Sequence, residues 1–241
     1  WNSQPSTDGV FFSSACQDCT PMLRDGDNGD WIGSFVGHKG AVWSTHLNAD
    51  GTRAVTGSAD FTWRYWDATT GTELRSVTTE HAVRAVRLSP SQDRVAVAGN
   101  SKNLSIHDLN APESDPVFIG VGPDVVKAVM WTPDGKKIIS DGGCSSSLQT
   151  WDSRTGTVVQ SISLPGPVRD LDEQSSTLAV ATPGHVLVFS TDDGLKETSR
   201  LEMKAEITSA CLQPLSTGGK KLLVVGEAKD YSVGLHDTSS G

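Results

Sequence analysis

One short pattern recurs along this chain at a nearly constant interval, and it limits the folds that the chain can adopt. A brief apolar run ends in an aromatic or aliphatic residue, which is followed by Asp or, in one degenerate copy, by Ser. The clearest copy is the segment Trp63-Arg64-Tyr65-Trp66-Asp67. The last residues of the six copies stand at positions 25, 67, 108, 152, 190 and 237, so the steps are 42, 41, 44, 38 and 47 residues. Self-similarity at a period of about 40 residues predicts stacked repeats with one continuous core.

The content of each repeat indicates strands and not helices. The second repeat contains β-type runs at 41–47, 53–57, 63–67 and 72–77, with turn residues between them. No repeat has apolar residues at the i, i+3, i+4, i+7 spacing of an amphipathic helix. Four short antiparallel strands in roughly 40 residues are the pattern of one β-propeller blade. We therefore predict an all-β propeller that forms a single domain over residues 1–241.

The blade boundaries follow from the positions of the repeats. We place the blades at approximately 1–36, 37–79, 80–119, 120–163, 164–203 and 204–241. The first blade is expected to begin with its second strand, at 9–15, and the sixth to stop after its third strand. Because open blades leave unpaired strand edges, we expect these residues to be a portion of a longer chain, with about one more blade after them.

Charge and composition argue against several classes of function. The formal net charge is −9 and the isoelectric point is about 5.0, and a surface of that sign repels nucleic-acid phosphates. No stretch approaches the roughly 18 apolar residues of a membrane span. Cys16 and Cys19 form a lone C-x-x-C pair, with no second pair at zinc-ligand spacing. We predict no metal, cofactor, small-molecule substrate, membrane or direct nucleic-acid partner, with RNA binding through aromatic and basic residues of one face as an alternative.

Four residues of the second repeat include the side-chain types of a hydrolase. His38 precedes the innermost strand, Thr56 lies in the next strand, Asp60 in the following turn and Trp66 in the third strand. This set resembles the signature of the WD-repeat family, in which hydrogen bonds run from the indole through the hydroxyl and imidazole to the carboxylate. The resemblance implies that His38, Thr56, Asp60 and Trp66 are structural. No G-x-S-x-G motif supports a nucleophile, so we predict that the protein is not an enzyme.

A more specific resemblance spans essentially the whole chain. It is carried by Ser14-Ala15-Cys16-Gln17-Asp18, Pro21-Met22-Leu23-Arg24, Gly29-Asp30-Trp31-Ile32-Gly33 and Gly37-His38-Lys39-Gly40-Ala41-Val42-Trp43. These segments resemble the serine/threonine kinase receptor-associated (unrip) family of WD-repeat proteins. The resemblance implies a propeller of seven blades, of which about five and a half fall within these residues. The alternative is the i subunit of eukaryotic translation initiation factor three, which shares Gly40-Ala41-Val42-Trp43 and Gly57-Ser58-Ala59-Asp60.

The same resemblance implies a function. It points to a non-catalytic scaffold that binds other proteins, as a subunit of the complex that assembles the Sm core of small nuclear ribonucleoproteins for mRNA splicing. It also implies an adaptor role in receptor-kinase signalling, and a location in both cytoplasm and nucleus.

Four side chains are candidates for contact with a protein partner. Large aromatics and Arg are enriched at the energetic centres of interfaces, and propellers present loops and strand ends around their central channel. Trp43, Arg84 and Trp131 stand near the start of innermost strands, and Arg64 lies in a third strand. Trp131 equally suits the core, and Arg64 equally suits a structural ion pair. A partner strand added to the edge of the fifth blade, at 166–202, is a further possibility, because that blade has few polar residues to fix it.

Overall fold

The fold is that of a computed structural model, which describes residues 3–6, 9–100, 103–120, 125–142, 146–174, 176–192, 194–203, 206–214, 221–227 and 233–237. Every regular element within these ranges is a β-strand, as predicted. The strands form five four-stranded sheets and one three-stranded sheet. Across the described ranges, no helix is long and apolar enough to cross a membrane.

Each sheet is one antiparallel blade whose strands follow one another in chain order. The first three blades comprise β1 (Ser3–Pro5), β2 (Phe11–Ser14), β3 (Met22–Asp25), β4 (Trp31–Ser34); β5 (Val42–Leu47), β6 (Arg53–Ser58), β7 (Thr62–Asp67), β8 (Thr72–Thr78); and β9 (Val83–Leu88), β10 (Arg94–Gly99), β11 (Asn103–Asp108), β12 (Val117–Gly120). The next three comprise β13 (Val129–Trp131), β14 (Lys137–Asp141), β15 (Ser147–Asp152), β16 (Val158–Ser163); β17 (Asp170–Gln174), β18 (Thr177–Thr182), β19 (His185–Ser190), β20 (Lys196–Glu202); and β21 (Ile207–Pro214), β22 (Lys221–Glu227), β23 (Val233–Asp237).

The blades are arranged as a propeller around a central channel. The innermost strand of each blade contacts the innermost strand of the next, from β1 through β5, β9, β13 and β17 to β21. Successive blades therefore stand side by side, and the same repeat position in neighbouring blades lies close together at the channel. The all-β propeller prediction is confirmed.

The first blade differs from the expectation at its beginning. We expected it to lack an innermost strand, but β1 fills that position and pairs with β2, with Ser3 opposite Ser14. This strand is difficult to predict from the sequence, because the strand has only three residues, one of which is Pro5, and contains no apolar run. Pro is tolerated in an edge strand, because its missing N–H points away from the ladder.

In the first four blades, the Asp that ends the repeat motif closes the turn between the third and fourth strands. Oδ1 of Asp67 accepts the backbone N–H groups two and three residues later, and Gly71 completes the turn at a φ of 71°. Asp25 and Asp152 accept the equivalent pairs of N–H groups in the first and fourth blades. Asp recurs at this position because its short carboxylate satisfies turn donors that the strands leave unpaired.

The core consists of apolar layers between successive blades. Trp63 has no exposed surface and packs between Val55 of its own blade and Val83 and Val86 of the next. Each of the other four layers likewise combines residues of two consecutive blades. The strands are therefore apolar on both faces, which is why they lack the alternation of a half-buried sheet.

The innermost strands carry side chains that cap the backbone of the following blade. In β5, Oγ of Ser44 accepts the N–H of Val86 at 3.2 Å, and Nδ1 of His46 accepts the N–H of Leu88 at 3.3 Å. In β17, Asp170 and Asp172 occupy the same two repeat positions. Their carboxylates accept the backbone N–H groups of positions 210 and 212 at 3.4 and 2.7 Å. Edge groups that have no strand partner are thus satisfied by side chains.

Candidate partner-binding surface

The four signature residues of the second blade form one buried chain of hydrogen bonds. The indole N–H of Trp66 donates to Oγ1 of Thr56 at 2.9 Å, and that oxygen lies 2.7 Å from Nε2 of His38. Nδ1 of His38 lies 2.9 Å from Oδ2 of Asp60, which also accepts the N–H of Lys39 at 2.8 Å. The chain ties the loop before β5 to the turn after β6, so it holds the rim of the channel mouth in place.

The protonation of this chain fits a structural role. Burial lowers the pKa of His38, which keeps the ring neutral, although the hydrogen bond to Asp60 opposes the shift. Burial alone would raise the pKa of Asp60, but hydrogen bonds from Thr62, from the Lys39 amide and from His38 outweigh it and hold that pKa at about 2. The hydroxyl of Thr56 is fully buried and already bonded to the indole, so it is not available as a nucleophile.

Trp43 and Arg84 meet at the channel mouth. The guanidinium carbon of Arg84 lies 3.7 Å from the centre of the Trp43 ring, and its Nε donates to Oδ1 of Asn100 at 3.1 Å. Both Trp43 and Arg84 are partly exposed. A cation stacked on an indole is a rigid, amphipathic contact surface of the kind that interface centres use.

A β-bulge explains why these two side chains point to the mouth. Val42 pairs with Ser58 and Ser44 pairs with Gly57, so Trp43 is the extra residue of its strand. In the third blade, the pairs Val83–Gly99 and Ala85–Ala98 leave Arg84 as the extra residue. A bulge removes its residue from the alternation of the strand and re-aims the side chain.

The same sequence position, directly after a buried aliphatic residue, occurs in the fourth, fifth and sixth blades. Of these three, the sixth also shows the register shift, between Ile207 and Ser209. Val42, Val83, Val126, Val168 and Ile207 are all buried, with exposures of 0, 2, 0, 6 and 0%. The residues that follow them are Trp43, Arg84, Lys127, Arg169 and Thr208, and the last three are exposed. We refer to Trp43, Arg84, Lys127, Arg169 and Thr208 as the mouth positions. The sequence analysis did not single out Lys127 and Arg169, because it considered aromatic and Arg residues one by one. Both positions become apparent when the repeats are aligned on the buried aliphatic residue that precedes them.

Trp131 lies in the core and not at the mouth, which is the alternative that the sequence left open. It is 5% exposed, it belongs to the layer between the third and fourth blades, and its indole N–H donates to the carbonyl of Arg87 at 3.1 Å. It stands four residues after the mouth position of its blade, where the second and third blades have the buried Leu47 and Leu88. Its repeat position therefore differs from that of Trp43 and Arg84, with which the sequence analysis grouped it.

Arg64 also lies away from the mouth. Its guanidinium forms an ion pair with Glu73 on the neighbouring strand β8, and its side chain is only 14% exposed. A guanidinium held in this way has a structural role within its blade, which is the alternative that the sequence left open.

The innermost strands, which line the channel, carry buried titratable side chains. Burial lowers the pKa of His46 to about 3, with a smaller contribution from the charge of Arg87. Burial raises the pKa of Asp170 to about 6 and also raises that of Asp172, while hydrogen bonds from backbone N–H groups oppose both shifts. The fifth blade therefore does have polar residues that fix it, and they lie in its innermost strand. In the described part of the chain, no group of three or more His, Cys, Asp or Glu residues is placed to hold a metal ion.

Comparison with known proteins places the chain among propellers of one kind. A family profile described as "WD domain, G-beta repeat" matches residues 29–67. The chain is 38% identical over 234 residues to the serine-threonine kinase receptor-associated protein of Mus musculus, covering 97% of this chain and 65% of that protein. It is 32% identical over 240 residues to the protein of the same name from Dictyostelium discoideum, covering 99% of this chain and 80% of the relative. The chain thus spans slightly less than two thirds of the length of its animal relatives.

A second group of relatives is more distant. Eukaryotic translation initiation factor 3 subunit I of Nematostella vectensis is 26% identical over 231 residues, covering 92% of this chain and 70% of that protein. The order of these two groups agrees with the resemblance seen in the sequence.

Proposed function

The chain belongs to the serine-threonine kinase receptor-associated protein family of WD-repeat propellers, and from this premise we propose that it is a non-catalytic scaffold for other proteins. The observation that carries the proposal is the stacked Trp43–Arg84 pair, which a rigid ring of blades presents at the channel mouth. The catalytic-looking residues of the second blade support it as well, because their hydrogen bonds are used within the fold.

The partners we propose are subunits of the complex that assembles Sm cores for mRNA splicing, with the protein present in cytoplasm and nucleus. The names of its relatives say that they associate with a serine-threonine kinase receptor, which supports an adaptor role in such signalling as a second proposal. The more distant similarity to a subunit of translation initiation factor 3 makes that complex the competing candidate.

Affinity purification from the cells of origin tests this proposal. The tagged protein, the variant Trp43→Ala and the matched control Trp31→Ala are compared by quantitative mass spectrometry of the co-purifying proteins. Trp31 is the suitable control because it is 63% exposed but lies on β4, the outer strand of the first blade.

We expect Sm-assembly proteins with the wild type and with Trp31→Ala, and at least a severalfold smaller yield with Trp43→Ala. Recovery of initiation-factor subunits in their place would move the protein to the competing complex. Equal recovery of all partners with Trp43→Ala would show that the channel mouth is not the binding surface.

A further inference from the structure

The mouth positions carry a run of positive charge that the overall composition conceals. Arg84, Lys127 and Arg169 occupy the same repeat position in three consecutive blades, whereas the whole chain has 29 acidic and 20 basic residues. None of the five mouth positions is acidic. Because neighbouring innermost strands contact one another, these three side chains form an arc around the channel mouth, which we call the basic arc. The 3.7 Å stack of Arg84 on Trp43 shows how closely neighbouring mouth positions approach.

The turns on the opposite face of the propeller carry both acids and cations. The turn between the first and second strands carries an acid in the second, third and fourth blades, namely Asp50, Asp93 and Asp134. Hydrogen bonds within these turns lower the pKa of Asp50 and Asp134, so both acids stay ionised. Exposed cations lie on the same face, at Lys136, Arg154 and Lys196, so its charges are mixed, whereas three of the five mouth positions are cations. A local run of cations at the mouth positions favours contact with acidic groups of a partner there.

The cations of the arc are available to a ligand. Lys127 is exposed and interacts electrostatically with the buried carboxylate of Asp141. In the described part of the chain, Nε of Arg84 donates to Asn100, and Nη2 of Arg169 donates to Glu206 at 2.9 Å. The Arg169–Glu206 pair is half-exposed on both sides, at 43 and 57%. An ion pair in that position contributes little to stability, so a carboxylate of a partner can replace it.

From this arrangement we propose that the channel mouth binds an acidic segment of a partner protein, whose carboxylates pair with Arg84, Lys127 and Arg169 beside the indole of Trp43. This inference rests on the proposed scaffold function and adds the chemistry of the bound segment. A protein segment fits better than RNA for two reasons. The net charge of −9 repels a long polyanion, and the guanidinium of Arg84 already stacks on one face of the Trp43 ring.

Fluorescence anisotropy with purified protein tests the proposal directly. The probes are a short labelled peptide of alternating Glu and Leu, the same peptide with Gln for Glu, and a labelled oligouridylate. The test variant is Arg84→Gln/Lys127→Gln/Arg169→Gln. The matched control is Lys136→Gln/Arg154→Gln/Lys196→Gln. It removes three exposed cations from the face opposite the channel mouth, where the turns between first and second strands lie. Thermal melting followed by circular dichroism checks that both variants fold, and the single variant Lys127→Gln provides a milder form of the test.

The acidic peptide is expected to bind more tightly than its Gln counterpart, and raising the salt from about 50 to about 200 mM should weaken it severalfold. Loss of three exposed ion pairs predicts about tenfold weaker binding by the test variant and less than about twofold by the control. Equal affinity of the two triple variants would overturn the proposal, and so would tighter binding of the oligouridylate than of the acidic peptide. If cellular partners depend on Trp43 but not on the three cations, the scaffold proposal stands and this inference fails.

Discussion

The hydroxyl of Thr56 is the single atom group on which the buried hydrogen-bond chain of the second blade depends. Thr56→Val keeps the shape of the side chain, but it removes the acceptor of the Trp66 indole at 2.9 Å and the partner of His38 at 2.7 Å. Both remaining groups lie where water does not replace the lost bond, since Trp66 is fully buried and His38 is 7% exposed. A buried polar group without a partner costs about 1–3 kcal/mol, so we expect a loss of about 3 kcal/mol in the free energy of unfolding.

A smaller version of the same bond in the fourth blade provides the matched comparison. There the indole of Trp151 donates to Oγ of Ser140 at 3.0 Å, and no His shares the hydroxyl. Ser140→Ala therefore leaves one group without its partner and should cost about 1–2 kcal/mol.

Urea unfolding followed by circular dichroism, analysed with a common slope, gives both values. In the background of Trp66→Phe the cost of Thr56→Val should fall, because the indole donor is gone. A loss below about 1 kcal/mol, or one no larger than that of Ser140→Ala, would refute the reasoning that the hydroxyl joins two buried partners.

Three further predictions address burial, pH and close packing. Burial raises the pKa of Asp141 to about 6, above the unfolded value of about 4, so its contribution to stability is present below about pH 4 and is lost as the pH rises through 6. Asp141→Asn should therefore gain up to about 3 kcal/mol relative to the wild type between pH 4 and pH 7 in urea titrations, and a difference that does not change with pH would contradict this. Trp131→Phe should lower stability by about 1–3 kcal/mol in the same assay, because it removes the bond to the Arg87 carbonyl from a buried layer, whereas a surface residue would be neutral. A methyl group on Gly99 would lie 2.1 Å from the carbonyl oxygen of Ala82, while one on Gly120 meets nothing within 4 Å. Gly99→Ala should thus lower the melting temperature far more than Gly120→Ala, and equal shifts would show that the backbone yields at Gly99.

The sequence predicts the parts of this fold that repeat. The period of the motifs predicts the blades, because in the first four blades the Asp closes the turn between the third and fourth strands. The strands predicted for the second repeat agree with the structure to within one residue at each end. The family resemblance is confirmed by the comparisons. These features depend on residue types and on their spacing along the chain, and both can be read from the sequence.

The parts that were missed depend on register and not on residue type. Trp43 and Trp131 both follow an apolar residue near the start of an innermost strand, but only Trp43 lies in a bulge that turns its side chain to the mouth. The fourth blade shows no such register shift at Trp131, so the indole stays in the alternation and enters the core. Strand β1 was missed because it has no apolar run of its own. It is recognised as a strand only through its backbone pairing with β2.

The side chains that cap the following blade give the propeller a direction. Ser44 and His46 accept backbone N–H groups of the third blade, and Asp170 and Asp172 accept those of the sixth. Each acceptor therefore bonds to the blade that follows its own in the chain. The fourth blade has Ala128 and Met130 in these two places and serves no neighbour in this way. Gene duplication or shuffling of whole repeats is therefore not neutral in this protein. A second copy of the fourth blade placed before the sixth would leave the backbone N–H groups of positions 210 and 212 without these acceptors, while a second copy of the fifth would provide them. At these two interfaces each blade is thus matched to the blade that follows it, which restricts how the repeats can be rearranged in evolution.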